Sequence, residues 1–465
     1  MYSYCAKIMA NFALLVAVVG CGATPEAERV AGNQSAVTRN AVTRESVTNA
    51  GTEGNGDSSH PFVSADAHFV VFQSAADNLA TGDTNGTIDI FVRDRNSGAI
   101  SSVSRSSAGA QGNSNSVNGS ISTDGRFVAF ASFASNFSTG TNHCIAGPCI
   151  FVKDRIAGTL TQVDVSPTGG QPNGPSGNLQ LGPQISANGR FVAFQSDATN
   201  LVANDTNGHT DIFVRDLVTG STVLASVSGV AQGNGDSTDP SISADGRFVA
   251  FSSLADNLRG PGDGNGVSDV FVRDLVSGTT QTVSFTSTGQ GGSTGDAASD
   301  SAKISGDGQH VVFRSFASNF GTPPDTNGVA DTYVKDLGTL APIRLSTSSA
   351  GAQGNAASDH QNAISFNGSL VAFVSAASNL IAGDTNGVED VFIRDRALSQ
   401  TIRANISNDG GQQANAGFPF LSSLSFNGSA SSPGASLLGF DSLASTLVTP
   451  DNNHQADVFT ASISP

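Results

Sequence analysis

Apolar and polar positions along this chain recur as one phrase. Around residues 243–284 it reads SADGRFVAFSSLADNLRGPGDGNGVSDVFVRDLVSGTTQTVS, and it returns about every 60 residues. A Ser following an apolar residue marks each return: Ser64, Ser122, Ser186, Ser243, Ser305, Ser365 and, in a more degenerate copy, Ser425. The seven copies cover nearly everything beyond residue 44. A fixed period of this size is the signature of a repeat architecture. Each copy holds four short runs with strand chemistry, which in the fourth copy are 240–243, 247–253, 269–274 and 279–286. Ala-Asp-Gly separates the first two and Leu-Val-Ser-Gly the last two, so each copy predicts a four-stranded antiparallel meander. The middle runs, Phe248-Val-Ala-Phe251 and Val270-Phe-Val272, are apolar at consecutive positions. A sheet with one wet face alternates apolar and polar, so these sheets are covered on both faces. A ring of blades achieves that cover. The predicted fold is all-β, a seven-bladed β-propeller, with Phe (28 residues, against no Trp) filling the layers between blades.

The chain ends suggest how the ring closes. The seventh copy stops after Asp457-Val-Phe-Thr-Ala-Ser-Ile463, without a fourth strand. Residues 45–55 match the fourth strand and following loop of other copies, such as 102–113. An N-terminal strand is therefore expected to complete the last blade and remove an exposed sheet edge. The competing pattern is six blades with a ragged tail, since residues 429–436 blur the seventh copy.

The phrase Ser-Ala-Asp-Gly-Arg-Phe-Val-Ala-Phe, followed by Asp-Ile/Val-Phe-Val-Arg-Asp, resembles the TolB-like, WD-like propeller repeat of bacterial proteins. The resemblance spans residues 45–463. It implies a fold rather than an activity, because propellers carry many functions. There is no room expected for the N-terminal α/β domain of TolB or for the hydrolase domain of prolyl-oligopeptidase relatives. The linker between second and third strands is also longer than the family's usual one.

Composition narrows the partners. The formal net charge is −17 with only 13% charged residues. Nucleic acid needs a basic footprint and is not expected as a partner. Near the N-terminus, Lys7 precedes a short apolar stretch, 8–19, that ends in Val18-Val-Gly-Cys21. This resembles a lipoprotein lipobox, which implies lipidation of Cys21; an ordinary cleaved signal is the alternative. The expected organisation is a signal peptide and lipobox over 1–21, a linker over 22–43 and the propeller over 44–465. By that resemblance, with Gly22 after the Cys, the protein is exported, lipid-anchored in the cell envelope and directed to the outer membrane where the cell has one. Cys144 and Cys149 lie in one loop, and in an exported protein such a pair reads as a disulfide. A metal site is the lesser alternative, because zinc usually takes four ligands.

One loop could carry chemistry. Between the second and third strands recurs Asp-x-Asn-Gly-x-x-Asp, as Asp83/Asn85/Asp89, Asp205/Asn207/Asp211, Asp263/Asn265/Asp269, Asp325/Asn327/Asp331 and Asp384/Asn386/Asp390. The seventh copy keeps Asp451, Asn453 and Asp457. Hard cations such as calcium take carboxylate and carbonyl oxygens from flexible loops. The alternative is a structural turn in which Asn-Gly supplies positive φ and Asp caps backbone N–H groups. The second copy has Cys149 where the others have the last Asp, which suggests that the loop serves to pin itself to the third strand. A second repeated loop, Ala-Gln-Gly-Asn at 110–113, 231–234 and 352–355, lies on the same face. The opposite face carries short turns with Arg126, Arg190 and Arg247, so one face is expected to be acidic and Asn/Gly-rich and the other partly basic. Asp236, Asp239, Asp296, Asp300 and Asp359 fall where innermost strands begin, and form a candidate funnel for a cation or cationic ligand. Of seven His residues only His60 and His360 come near that mouth, and both read as solvated loop residues. The residues show no catalytic set. The expected function is a monomeric, non-catalytic binding or scaffolding propeller whose partner is an envelope protein or glycan. The alternatives are a metal-dependent carbohydrate lyase or lactonase and a structural surface-layer component.

Overall fold

A computed structural model describes residues 36–464, apart from 138–146, 178–181, 260–264, 287–293, 322, 340, 409–413, 416–424 and 428–435; for 425–427 it describes the backbone. The described secondary structure is all strand. Seven four-stranded antiparallel sheets form the blades of a β-propeller, and an extra two-residue ribbon pairs Val227–Ser228 with Ala231–Gln232. Blade one is Ser58–Val63, Phe69–Ser74, Asp89–Asp94 and Ile100–Ser102, innermost strand first. Blades two to six follow the same order in sequence.

The ring closes in blade seven, where Thr38–Arg44 pairs antiparallel with Asp457–Ser464. All but the last residue of the closing strand thus lies in the stretch expected to be a linker, 22–43. The matched segment 45–55 follows it and forms the loop behind it, with a bridge between Val47 and Glu53. The reason is local. This strand covers only one edge, its pattern is mostly exposed, and it shows no apolar run to announce it.

The middle strands hold the core. Each blade stacks one aromatic pair between its second and third strands, from Phe72–Phe91 at 6.0 Å in blade one to Phe440–Phe459 at 5.7 Å in blade seven, with Tyr333 replacing Phe once. Such pairs contribute roughly 0.5–1.5 kcal/mol each beyond area burial. Blades also lock through their turns. Gly246 has φ +79°, and a Cβ there would overlap the Phe191 ring of the preceding blade. Only glycine meets both demands.

In blade four the two middle strands are Phe248–Ser253 and Asp269–Asp274, close to the expected bounds. The innermost strand begins earlier, at Ser237. It carries a register shift between Thr238 and Ser241. Equivalent bulges occur in blades one, two, five and six. At this level His60, Asn118, Asp239 and Ser301 all adopt left-handed backbone, with φ between 55° and 60°. Bulges of this kind re-aim side chains, and left-handed non-glycine residues concentrate at functional sites.

Candidate functional site: acidic loops and channel

The acidic loops are hydrogen-bonded staples. In blade one Asn85 Nδ2 donates to Asp89 Oδ2 at 2.8 Å and to the Gly112 carbonyl at 3.1 Å. Asn85 Oδ1 accepts from the Thr87 N–H at 3.1 Å. Gln111 Nε2 donates to Asp83 at 3.0 Å, and the Ser104 hydroxyl donates to Asp89. Blade three repeats the set with Asn207, Asp211, Gly233 and Ser226. Blade four does so with Asn265, Asp269, Gly295 and Ser284, while Asp263 lies outside the described residues. Burial raises the carboxyl of Asp89, and raises that of Asp211 to about 6.

Blades five and six vary the theme. Asn327 Nδ2 donates to the Gly354 carbonyl at 2.9 Å, and its own N–H donates to Asp325 at 3.0 Å. The donor to Asp331 is here Gln353 Nε2, at 3.0 Å. Asn386 Nδ2 lies 3.1 Å from both oxygens of Asp390 and donates to the Ala414 carbonyl at 3.2 Å. In all five loops the Asn Oδ1 that was a candidate cation ligand accepts instead from the backbone N–H two residues on: Thr87 after Asn85, His209 after Asn207, Val267 after Asn265, Val329 after Asn327 and Val388 after Asn386. That is the geometry of the structural turn, in which the Asn side chain caps its own backbone.

Blades five to seven add a buried arginine from the fourth strand. Arg344 stands 3.2 Å from Asp331 and 3.9 Å from Asp325. Arg403 stands 2.9 Å from Asp390 and 3.2 Å from Asp384. Arg44 stands 3.1 Å from Asp457 and 3.8 Å from Asp451. The loop pair there already has its cation. In these three loops guanidinium, amide and hydroxyl donors occupy oxygens of the last Asp that calcium would need, although Asp451 Oδ1 in blade seven is buried without a hydrogen-bond partner. Among the described residues no three His, Cys, Asp or Glu side chains converge as a metal site.

Blade two moves its acid instead of losing it. Cys149 opens the third strand, and the position two residues beyond the fourth strand, held by Ser104 or Ser226 elsewhere, is Asp164. Asp164 is fully buried. It accepts from Gln162 Nε2 at 3.0 Å, and that amide also reaches Cys149 Sγ at 3.2 Å. Burial pushes the Asp164 carboxyl up to about 7. Cys144, the expected disulfide partner of Cys149, lies outside the described residues, as does Cys21.

The Gln-Gly-Asn loops stitch blade to blade. Asn113 exchanges hydrogen bonds with Ser135, and Asn136 Nδ2 returns to the Gln111 carbonyl at 2.7 Å. Asp236 and Asp296 belong to this stitching. Asp236 accepts from the Thr210 N–H at 3.1 Å, and Asp296 accepts from the Ser318 N–H at 2.6 Å. On the opposite face Arg126, Arg190 and Arg247 each pair with a carboxylate, of Asp154, Asp216 and Asp274, at 2.7 Å. That face is neutralised pair by pair rather than basic.

The other three funnel residues, Asp239, Asp300 and Asp359, lie on the innermost strands of three consecutive blades. The Asp239 N–H is held by Gln195 Oε1 of blade three at 3.3 Å, as the Asn118 N–H is held by Gln73 at 2.9 Å. Burial raises the Asp239 carboxyl to about 6. Arg314 forks onto Asp300 at 2.8 and 2.7 Å. His360 Nδ1 lies 2.5 Å from Asp359, which raises the imidazole and lowers the carboxyl. Burial, then the charge of Asp359, raises Glu389. His60 and His360 are therefore strand residues of the channel wall, and His60 is buried. Lys303 and Asn362 also line the channel and were not foreseen. The available signal was a departure from the repeat: Lys303 stands where the fourth copy has Ser241, and Asn362 where it has Pro240.

No protein-family model matches the chain, and no curated protein sequence matches it. Solved structures match in fold. An oligogalacturonate lyase in complex with manganese is 14% identical over 92% of this chain and 95% of its own, with a TM-score of 0.51. The β-propeller domain of the Trilobed protease from Pyrococcus furiosus is 10% identical over 87% of this chain and 95% of its own, at 0.47. TolB from Acinetobacter baumannii is 15% identical over 75% of this chain and 63% of its own, at 0.37. At 14% identity the likeness to the lyase is one of fold alone, and the blades described above form the seven-bladed β-propeller that the repeat predicted.

Proposed function

We propose that this propeller is a non-catalytic binding or scaffolding module of the bacterial cell envelope. In this reading it is exported, tethered through lipid on Cys21, and closed at one loop by a Cys144–Cys149 disulfide. Its partner is a protein or glycan that presents cationic groups to the channel mouth. The observation that carries the reading is the convergence of Asp239, Asp300 and Asp359 from three neighbouring innermost strands, with Glu389 beside Asp359. Carboxylates gathered at a channel mouth attract and orient a cationic partner. The test compares the wild type with an Asp239→Asn/Asp359→Asn variant, each immobilised and challenged with detergent-solubilised envelope and with an aminated glycan. Retention should fall by roughly tenfold or more in the variant. Equal retention by both proteins would remove the mouth from the reading.

Calcium enters this reading at blades one and three. There, among the described residues, the pairs Asp83–Asp89 and Asp205–Asp211 have no arginine in ion-pair contact, and Asp205 Oδ1 is buried without a hydrogen-bond partner. Each occupied site would stabilise the native state by about 2.7 kcal/mol at one hundred times its dissociation constant. The melting midpoint should rise in millimolar calcium and return in chelator, and Asp205→Ala should remove the blade-three share. Coincident melting curves in the two buffers would set calcium aside.

A further inference from the structure

The channel also holds a cavity of about 140 Å³ at its short-turn end, away from the acidic mouth. Its wall is regular. Val63, Ile121, Ile185, Ile242, Ile304 and Ile364, one from each of six consecutive blades, make an apolar collar. One or two residues before the collar on the innermost strands the wall turns polar, with Gln184, Ser241, Lys303 and Asn362. Asn362 is only 1% exposed, yet neither its Oδ1 nor its Nδ2 has a hydrogen-bond partner. Buried polar groups are normally satisfied, and an unsatisfied amide fork in a cavity wall points to a ligand that completes it. Among the described residues Lys303 makes no ion pair within 4.0 Å; burial lowers its ammonium below the usual range, and the charge of Asp239 in the neighbouring blade works against that. A cationic donor and an amide donor thus stand above an apolar collar that opens past Ala65, Ala187 and Ala244 of the short turns.

We propose that this cavity binds a small organic monocarboxylate with an apolar body. The carboxylate accepts hydrogen bonds from Lys303 Nζ and Asn362 Nδ2, and the body lies within the collar of β-branched side chains. A single cation suits one negative charge. A dianion would bring a second charge into an apolar collar with Asp239 close by, at a large desolvation cost. The site is reached from the opposite face of the ring, and Asp239 borders both it and the acidic mouth.

The test titrates the full exported protein with hexanoate and 4-fluorobenzoate, following heat and the fluorine resonance, against the neutral amides of the same acids. At least one acid should bind saturably to a single site, and its amide should bind roughly tenfold more weakly or less. Lys303→Met and Asn362→Leu should each weaken the acid by about tenfold. Lys303→Gln serves if the Met variant does not fold, as judged by its melting curve. Absence of saturable binding, equal affinity for acid and amide, or affinity unchanged in the folded Lys303 variants would overturn the proposal. Retention of the envelope partner by the Lys303 variant is a separate readout, so either site can fail alone.

Discussion

Removing residues 36–44 should turn a stable ring into an aggregating one. The strand Thr38–Arg44 covers the edge of Asp457–Ser464, and without it that strand presents unpaired N–H and C=O groups to other molecules. The deletion also takes away Val42, which is 3% exposed, and Arg44, which is 8% exposed. Arg44 pairs with Asp457 at 3.1 Å and also bonds to Glu53. Losing one partner of a buried ion pair costs about 3–5 kcal/mol, because the remaining charge is stranded. Arg44→Met alone should therefore destabilise by about 3 kcal/mol while leaving the backbone pairing in place. The deletion should go further, giving aggregates in sedimentation and a melting midpoint many degrees lower. A monomeric deletion protein with the wild-type midpoint would mean that the ring is held closed by other contacts.

What the sequence shows clearly is what all copies share. Ser243 marks the phase because its hydroxyl is built into the turn. It accepts from the Phe248 N–H at 3.0 Å and donates to Asp245 at 2.6 Å, a need that recurs from blade to blade. The third strand could be bounded correctly at Asp269–Asp274 because both faces are buried and its ends are fixed by acids. The innermost strands were legible only at their apolar ends. Thr238 and Asp239 carry no strand pattern, because a bulge there turns polar residues into the channel. Thr38–Arg44 was hidden for a related reason, since a half-exposed edge strand needs no apolar run. The acidic loops were legible as a motif but not in their bonding. Asn327 and Asn386 look alike in sequence, yet only Asn386 bonds the last Asp of its loop, because Gln353 takes that place in blade five. Ligand-site residues are the opposite of a repeat. Lys303, Asn362 and His360 each occur in one blade, so reading the copies for their common phrase sets them aside. Blade two shows the limit of reading one position at a time. Cys149 looks like a lost acid until Asp164 is seen just beyond the neighbouring strand.

That displaced acid should make the largest single contribution to the pH dependence of stability. Burial holds Asp164 at about 7, and Asp211, Asp239 and Asp457 at about 6. An unfolded Asp titrates near 3.9. Between about pH 4 and pH 7 the native state therefore binds more protons than the unfolded chain. Stability should fall as the pH rises through that window and level off above it. Asp154, held at about 2 by Arg126, and Asp216 and Asp274, lowered by Arg190 and Arg247, act in the other sense. Their contribution is present above the unfolded value near 3.9 and is lost as the pH falls below it. The melting midpoint should thus peak near pH 4–5 rather than at neutrality. Asp164→Asn keeps the shape and removes the charge, so it should stabilise the protein at pH 8 by roughly 2–4 kcal/mol. The gain should shrink to nothing by about pH 5, where the wild-type carboxyl is already protonated. A variant no more stable than wild type at pH 8, with the same slope against pH, would show that Asp164 does not carry this buried charge.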